Sequence, residues 1–171
     1  MLTTFTVNTS VDENDGVGVG GISLRDAIRA AAASGDTIEF STNLVNLSLG
    51  EIDFDKSLTI NGGTAGVTIH AAPNSRIFNI TDPSYGSSPP LVALTGLTLT
   101  GGHPDPFSDP YFGQGGAVRS EGPLTIQDST ITGNAALSGG GVFVQVLSDG
   151  TGATHQVLAI YNTTITNNQT S

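Results

Sequence analysis

The sequence predicts an all-β chain: a right-handed parallel β-helix with a short N-terminal amphipathic helix as its cap. Three observations lead there. Residues 94–102, 126–134 and 160–168 align as one repeated unit, at offsets of 32 and 34 residues. Gly, Asn, Asp or Pro marks nearly every boundary between short β-type segments, which cannot stand as hairpins and must stack. Only one helical pattern is present, and it lies near the start of the chain.

Taken in order, Thr4-Phe5-Thr6-Val7-Asn8-Thr9 alternates as a short strand, and an acidic, Gly-rich loop follows at 11–21. Ser23 is placed to cap a helix, and Asp26 three residues on completes a capping-box pattern. Leu24, Ala27, Ile28 and Ala31 fall on one apolar stripe, Arg25 and Arg29 lie off it, and Gly35 supplies a stop. This helix is expected to cover an open end of the stack, where bare edges invite unwanted pairing. β-segments are expected at 37–40, 45–49, 51–54, 57–60, 67–70, 76–80, 91–100, 117–119, 124–127, 130–132, 142–146, 157–161 and 163–166. In the repeated unit Leu99, Ile131 and Ile165 take one inward position on successive coils, flanking Thr faces out, and Gly/Asn pairs turn the corners. The whole chain reads as one domain, with 1–35 as cap and 36–171 as coils.

Composition narrows the partners. The 171 residues carry a formal charge of −10 and a pI near 4.2, with only five Lys and Arg. Nucleic acid is disfavoured, because phosphate recognition needs clustered basic side chains. An anionic membrane surface is disfavoured for the same reason, and no apolar run is long enough to insert. Without cysteine there is no disulfide, zinc-thiolate site or thiol nucleophile, which fits an extracellular bacterial protein. If the protein is secreted or displayed on a cell surface, its signal lies outside these residues.

Two stretches carry a resemblance. Ile22-Ser23-Leu24-Arg25-Asp26-Ala27-Ile28 resembles the "CSLREAI" motif that opens a family of secreted bacterial right-handed β-helix proteins. Gly35-Asp36-Thr37-Ile38-Glu39-Phe40 and Lys56-Ser57-Leu58-Thr59-Ile60-Asn61-Gly62 look like that family's continuation. The later repeats are similar to those of polymorphic outer-membrane proteins. Their "GGA[ILV]" motif appears as Gly115-Gly116-Ala117-Val118, and their "FxxN" motif as Ile131-Thr132-Gly133-Asn134 and Ile165-Thr166-Asn167-Asn168, with Ile for Phe. Ile22 stands where the family has Cys, and Asp26 where it has Glu. The resemblance implies the fold, an extracellular location and adhesin-like settings, but no common reaction.

Candidate sites are few. Asp12, Asn14 and Asp15 offer the oxygen ligands Ca²⁺ prefers, but without a full twelve-residue loop and its terminal Glu, so a solvated turn is the simpler reading. Ser23, Leu24, Arg25 and Asp26 form a structural motif, with Arg25 expected to pair with acids or carbonyls between the helix and the first coil. Glu51, Asp53 and Asp55 alternate with Ile52 and Phe54, so the carboxylates share one strand face. Glycoside cleavage uses such pairs, and a charged edge that resists aggregation has the same pattern. Arg76 and Arg119 are the only basic residues among the central coils, and only stacking would bring acids to them. His70, His103 and His155 share no metal spacing.

The Pro-rich stretch 101–115 is too irregular for a strand. Its His103, Asp105, Phe107, Asp109, Tyr111 and Phe112 are the candidate ligand contacts, because loops on a rigid scaffold carry binding. The alternative is that Phe107, Tyr111 and Phe112 pack back over the coils. No catalytic centre is read. The expected function is a non-catalytic extracellular structural or adhesin-like module. It would self-associate through an open coil edge after residue 168 or meet a neighbouring surface protein. The alternatives are a polysaccharide lyase or glycoside hydrolase, and a glycan-binding module; no cofactor is expected beyond Ca²⁺.

Overall fold

A computed structural model describes residues 2–31, 35–145 and 158–170. His155, with Val146 and Val157 at the ends of two expected strands, lies outside the described residues. In chain order the elements are β1 (Thr4–Val7), α1 (Leu24–Ala30), β2 (Asp36–Phe40), β3 (Leu44–Asn46), β4 (Ile52–Phe54) and β5 (Leu58–Asn61). There follow β6 (Val67–His70), β7 (Phe78–Ile80), β8 (Val92–Thr95), β9 (Leu97–Thr100), β10 (Val118–Ser120) and β11 (Leu124–Gln127). The last are β12 (Thr130–Thr132), β13 (Ala135–Ala136), β14 (Val142–Val144), β15 (Leu158–Tyr161), β16 (Thr164–Thr166) and β17 (Gln169–Thr170). Among the described residues the regular structure is mostly strand, with one helix.

The strands build three parallel sheets and a two-stranded fourth. The first runs β1-β2-β5-β8-β11-β15, the second β16-β12-β9-β6-β3, and the third β14-β10-β7-β4, while β13 pairs with β17. From β2 onward the chain visits first, second and third sheet in turn, and each circuit pairs with the one before it. The repeat offsets are the stacking register: Leu94 pairs with Ile126 and Ile126 with Ile160, and Leu99, Ile131 and Ile165 stand in line.

Alternation sets the core. Ile52, Phe54, Leu58, Ile60, Val67, Ile69, Leu97, Leu99, Leu124, Ile126 and Ile131 are buried, while the Thr between them are partly exposed. Phe54 and Phe78 meet edge to face, with ring centroids 6.1 Å apart. The expected segment 91–100 is two strands, because Gly96 at φ +64° turns the chain from the first sheet into the second. Backbone meets backbone between circuits at another point. A Cβ on Gly102 would lie 1.9 Å from the Gly116 carbonyl oxygen, and one on Gly116 equally close to that of Gly140. Asn134, buried beside this contact, donates to the carbonyls of Leu99 and Thr132 and to Asn168 Oδ1.

Helix α1 lays Leu24, Ala27 and Ile28 against β1, β2 and β4. Ser23 Oγ accepts the Asp26 N–H at 3.0 Å, an N-cap in the expected place. The stop differs from expectation. The helix ends at Ala30, ahead of Gly35, and Lys56 Nζ binds the carbonyls of Ile28 and Ala31, a cation on the negative end of the helix. At the far edge Leu158, Ile160 and Ile165 occupy the same stacked positions as buried Leu124, Ile126 and Ile131. They are nonetheless 40%, 41% and 46% exposed.

Candidate ligand-binding face

The outer face of the third sheet carries one row of side chains, Asp53, Asn79, Arg119 and Phe143, in register. A solvated row would be exposed, yet Asn79 and Arg119 are buried because the 101–115 stretch lies over them. Two arginines fasten it. Arg76, 0% exposed, donates from Nη1 to Glu51 Oε2 at 2.7 Å, from Nη2 to Asp109 Oδ2, and from Nε to the Gln114 carbonyl at 3.1 Å. Arg119 donates to Gln114 Oε1, Asn79 Oδ1, Glu121 Oε1 and Gln145 Oε1 at 2.6–3.2 Å. The Tyr111 ring covers both, 3.7 Å from Arg119 Cζ and 5.6 Å from Arg76 Cζ. Buried guanidiniums need this many partners, because an unpaired charge away from water is costly.

Within the loop Asp105 caps a turn, accepting from the Phe107 N–H and the Ser108 hydroxyl, and Asp109 Oδ2 accepts the Gly113 N–H. The Phe107 N–H holds the Asp105 carboxyl below its ordinary range, helped by Ser108 and, after a small opposing effect of burial, by His103. His103 donates its backbone N–H to the Ser75 carbonyl, and its side chain is exposed. With Asp109 and Tyr111 turned inward as anchors, Phe107 at 98% and Phe112 at 74% exposure point to solvent. The three aromatic rings therefore divide between the two readings of this loop.

A groove of about 310 Å³ opens between loop and sheet, lined by Glu51, Asp53, Asn74, Ser75, Ser108 and Asp109 among others. Sequence reasoning saw the carboxylates but no groove, and it assigned Arg76 and Arg119 no acids. Stacking supplies both. Burial pushes the Glu51 carboxyl up to about 7. Arg76 opposes the shift, and Asp53 and Asp109 reinforce it. The folded chain therefore holds this proton more tightly than the unfolded one. Its contribution is full below the unfolded value of 4.5 and is lost as pH rises through about 7. Over that window stability is expected to fall by up to about 3 kcal/mol from this group. Glu51→Gln, neutral at every pH, is expected to flatten that slope in urea titrations between pH 4.5 and 7.5; an unchanged slope would refute the assignment.

No protein-family model, curated protein or solved structure matches the chain.

In the N-terminal acidic loop the three expected ligands have different surroundings. Asp12 is not free to hold a cation: Oδ1 accepts from Arg25 Nε, and Oδ2 from Arg25 Nη2 and the N–H groups of Ser48 and Leu49. Burial would raise its carboxyl, but Arg25 and those two N–H groups outweigh burial and hold it below the ordinary range. Arg25 also binds the carbonyls of Gly50 and Glu51, tying the helix to the segment that enters β4. Asn14 accepts from Arg29. The acids that converge among the described residues are Glu13, Asp15 and Asp26, with oxygens within 4.8 Å of one another. Asp26 is committed to the Gly16 N–H and Ser23, whereas Glu13 Oε2 is buried with no partner. Only Asp15 thus belongs both to the expected triad and to the cluster found.

Proposed function

We propose that the chain is a length of extracellular right-handed parallel β-solenoid, capped by α1 and related to the CSLREA-type β-helix proteins. Its function is non-catalytic and adhesin-like: it presents the 101–115 loop to a glycan on a neighbouring surface. The cyclic visit to three parallel sheets and the in-register ladders support the solenoid. The observation that carries the function is how the loop is held. Two buried arginines and a stacked tyrosine fix its base while Phe107 and Phe112 stand in solvent. Exposed aromatic rings on a pre-organised loop lose little freedom on binding, and their faces suit the C–H faces of sugars. A glycan array tests this with wild type and the Phe107→Ala/Phe112→Ala double variant. Wild type is expected to bind a defined glycan set and the variant to lose at least about tenfold in affinity with unchanged stability, equivalent to about 1.4 kcal/mol. Equal binding by both proteins, or none by wild type, would overturn the reading.

A second reading concerns assembly. Leu158, Ile160 and Ile165 extend the apolar ladders to an edge that no described residue covers, and an exposed strand edge templates further pairing. A second copy of the chain is expected to stack there. Light scattering across a concentration range should then show growth beyond the monomer, and a monomer at every concentration would count against it.

A further inference from the structure

Two turns of the chain are built alike. Asp82-Pro83-Ser84-Tyr85-Gly86 and Asp109-Pro110-Tyr111-Phe112-Gly113 share the pattern Asp-Pro-x-aromatic-Gly. In each, the aromatic residue's N–H donates to the carbonyl of the aspartate three residues back, at 3.3 Å for Tyr85 and 3.0 Å for Phe112. In each, the glycine N–H donates to that aspartate's Oδ2, at 2.6 Å for Gly86 and 2.8 Å for Gly113. Proline presets the second position of such a turn, and the carboxylate holds its far end. Both rings stand in solvent, Tyr85 76% exposed and Phe112 74%.

The backbone at these two rings is strained. Among the described residues six non-glycine positions have positive φ, and four of them are Asn or Asp, which tolerate it. The other two are Tyr85 at +53° and Phe112 at +52°. An exposed ring gains no packing from this conformation, so nothing in the free protein rewards the strain. Strain of this kind persists where a side chain must be aimed at a ligand.

The two turns also belong to one surface. The Tyr111 ring lies over Arg119, Arg119 Nη2 donates to Glu121 Oε1 at 2.6 Å, and the Asp82 N–H donates to Glu121 Oε2 at 2.9 Å. One turn therefore precedes β10 and the other is fixed just beyond it, about 10 Å further along for a three-residue strand. Rings at the two ends of a strand are bridged by a chain and not by a single sugar. Residues 77–118, which contain both turns, include Asp82, Asp105 and Asp109 but no Lys or Arg, so this surface repels anionic sugars.

We propose that Tyr85 and Phe112 together grip one extended, uncharged glycan that spans β10, with the two Asp-Pro turns as paired clamps. The proposal rests on the glycan-presenting role of the 101–115 loop. It adds a second contact site, the 82–90 loop, and the length and charge class of the ligand.

The test is calorimetry with β-1,4-linked oligomers of glucose and of N-acetylglucosamine, each as dimer and hexamer, and with hexagalacturonate as the anionic probe. One uncharged hexamer is expected to bind at least about tenfold more tightly than its dimer, because only the longer chain engages both rings, and hexagalacturonate is expected not to bind. Tyr85→Asn and Phe112→Asn remove a ring each and place at the strained position a residue that tolerates it. Each is expected to keep or raise the wild-type thermal midpoint and to lose the tenfold advantage of the hexamer. Wild-type affinity for the hexamer in Tyr85→Asn, with loss in Phe112→Asn, would overturn the inference while leaving glycan presentation by the 101–115 loop standing. A lowered midpoint in Tyr85→Asn would overturn it by making the ring part of the packing. Equal binding of dimer and hexamer, or hexagalacturonate binding as tightly as the uncharged hexamer, would overturn it too. Failure of every oligomer removes the inference, and the proposed function falls with it only if the glycan array is also blank.

Discussion

Replacing Asp12 with alanine is expected to destabilise the chain by about 3 to 5 kcal/mol, the cost of breaking a buried ion pair from one side. Asp12 is 7% exposed and its two oxygens accept four hydrogen bonds, two from Arg25 and two from the backbone of Ser48 and Leu49. Its loss strands the Arg25 guanidinium and leaves both backbone donors without an acceptor. Arg25 keeps the Gly50 and Glu51 carbonyls, which solvate the charge without neutralising it. Because Arg25 sits on α1, the damage should reach the helix and the entry to β4 together. Urea unfolding followed by circular dichroism measures it. A loss under about 1 kcal/mol would mean that the pair behaves as a surface ion pair. Acid gives an independent check. The depressed carboxyl contributes stability above its unfolded value of 3.8, and that contribution is lost as pH falls below it.

Arg76→Met is the second large effect, again about 3 to 5 kcal/mol. Methionine fills similar space but leaves Glu51 and Asp109 facing each other without the cation between them, and the Gln114 carbonyl without its donor. The 101–115 loop then loses one of its two anchors, and Arg119 with Tyr111 alone holds it down. Adding Glu51→Gln and Asp109→Asn to Arg76→Met should restore part of the loss, because an uncharged cluster has less repulsion to bury. Recovery in that triple variant separates lost charge balance from lost packing.

Much of the architecture was legible in the residues, for a particular reason. From β8 to β11 to β15 in the first sheet, and from β9 to β12 to β16 in the second, successive circuits differ by 32 or 34 residues, so the alignment of Leu94, Ile126 and Ile160 in sequence is also their pairing in space. The third sheet hides its register. Asp53 meets Asn79 across 26 residues and Asn79 meets Arg119 across 40, because the 82–90 loop and the 101–115 insertion both fall between β7 and β10. No fixed period reveals that row, so the two arginines looked isolated when their partners were one circuit away. The Pro-rich composition of the insertion did mark it as a surface loop, but could not show which rings turn inward. Tyr111 has two guanidiniums to cover, whereas Phe107 sits at a turn capped by Asp105. In the acidic loop, nearness in sequence is not nearness in space. Asp12 faces Arg25 across the loop, and Asp26, from the helix, joins Glu13 and Asp15.

Glycan presentation depends on a loop that is already ordered before any ligand arrives, and amide hydrogen exchange across 101–115 tests that most directly. The Asp109 N–H bonds the Asp105 carbonyl, Phe112 N–H the Asp109 carbonyl and Gly113 N–H the Asp109 carboxylate. These amides are predicted to exchange far more slowly than an unstructured chain in wild type, and to lose that protection selectively in Arg76→Met while the β8 and β11 amides keep theirs. Exchange of the wild-type loop at the rate of an unstructured chain would contradict glycan presentation by this loop, because Phe107 and Phe112 would then belong to no preformed binding surface.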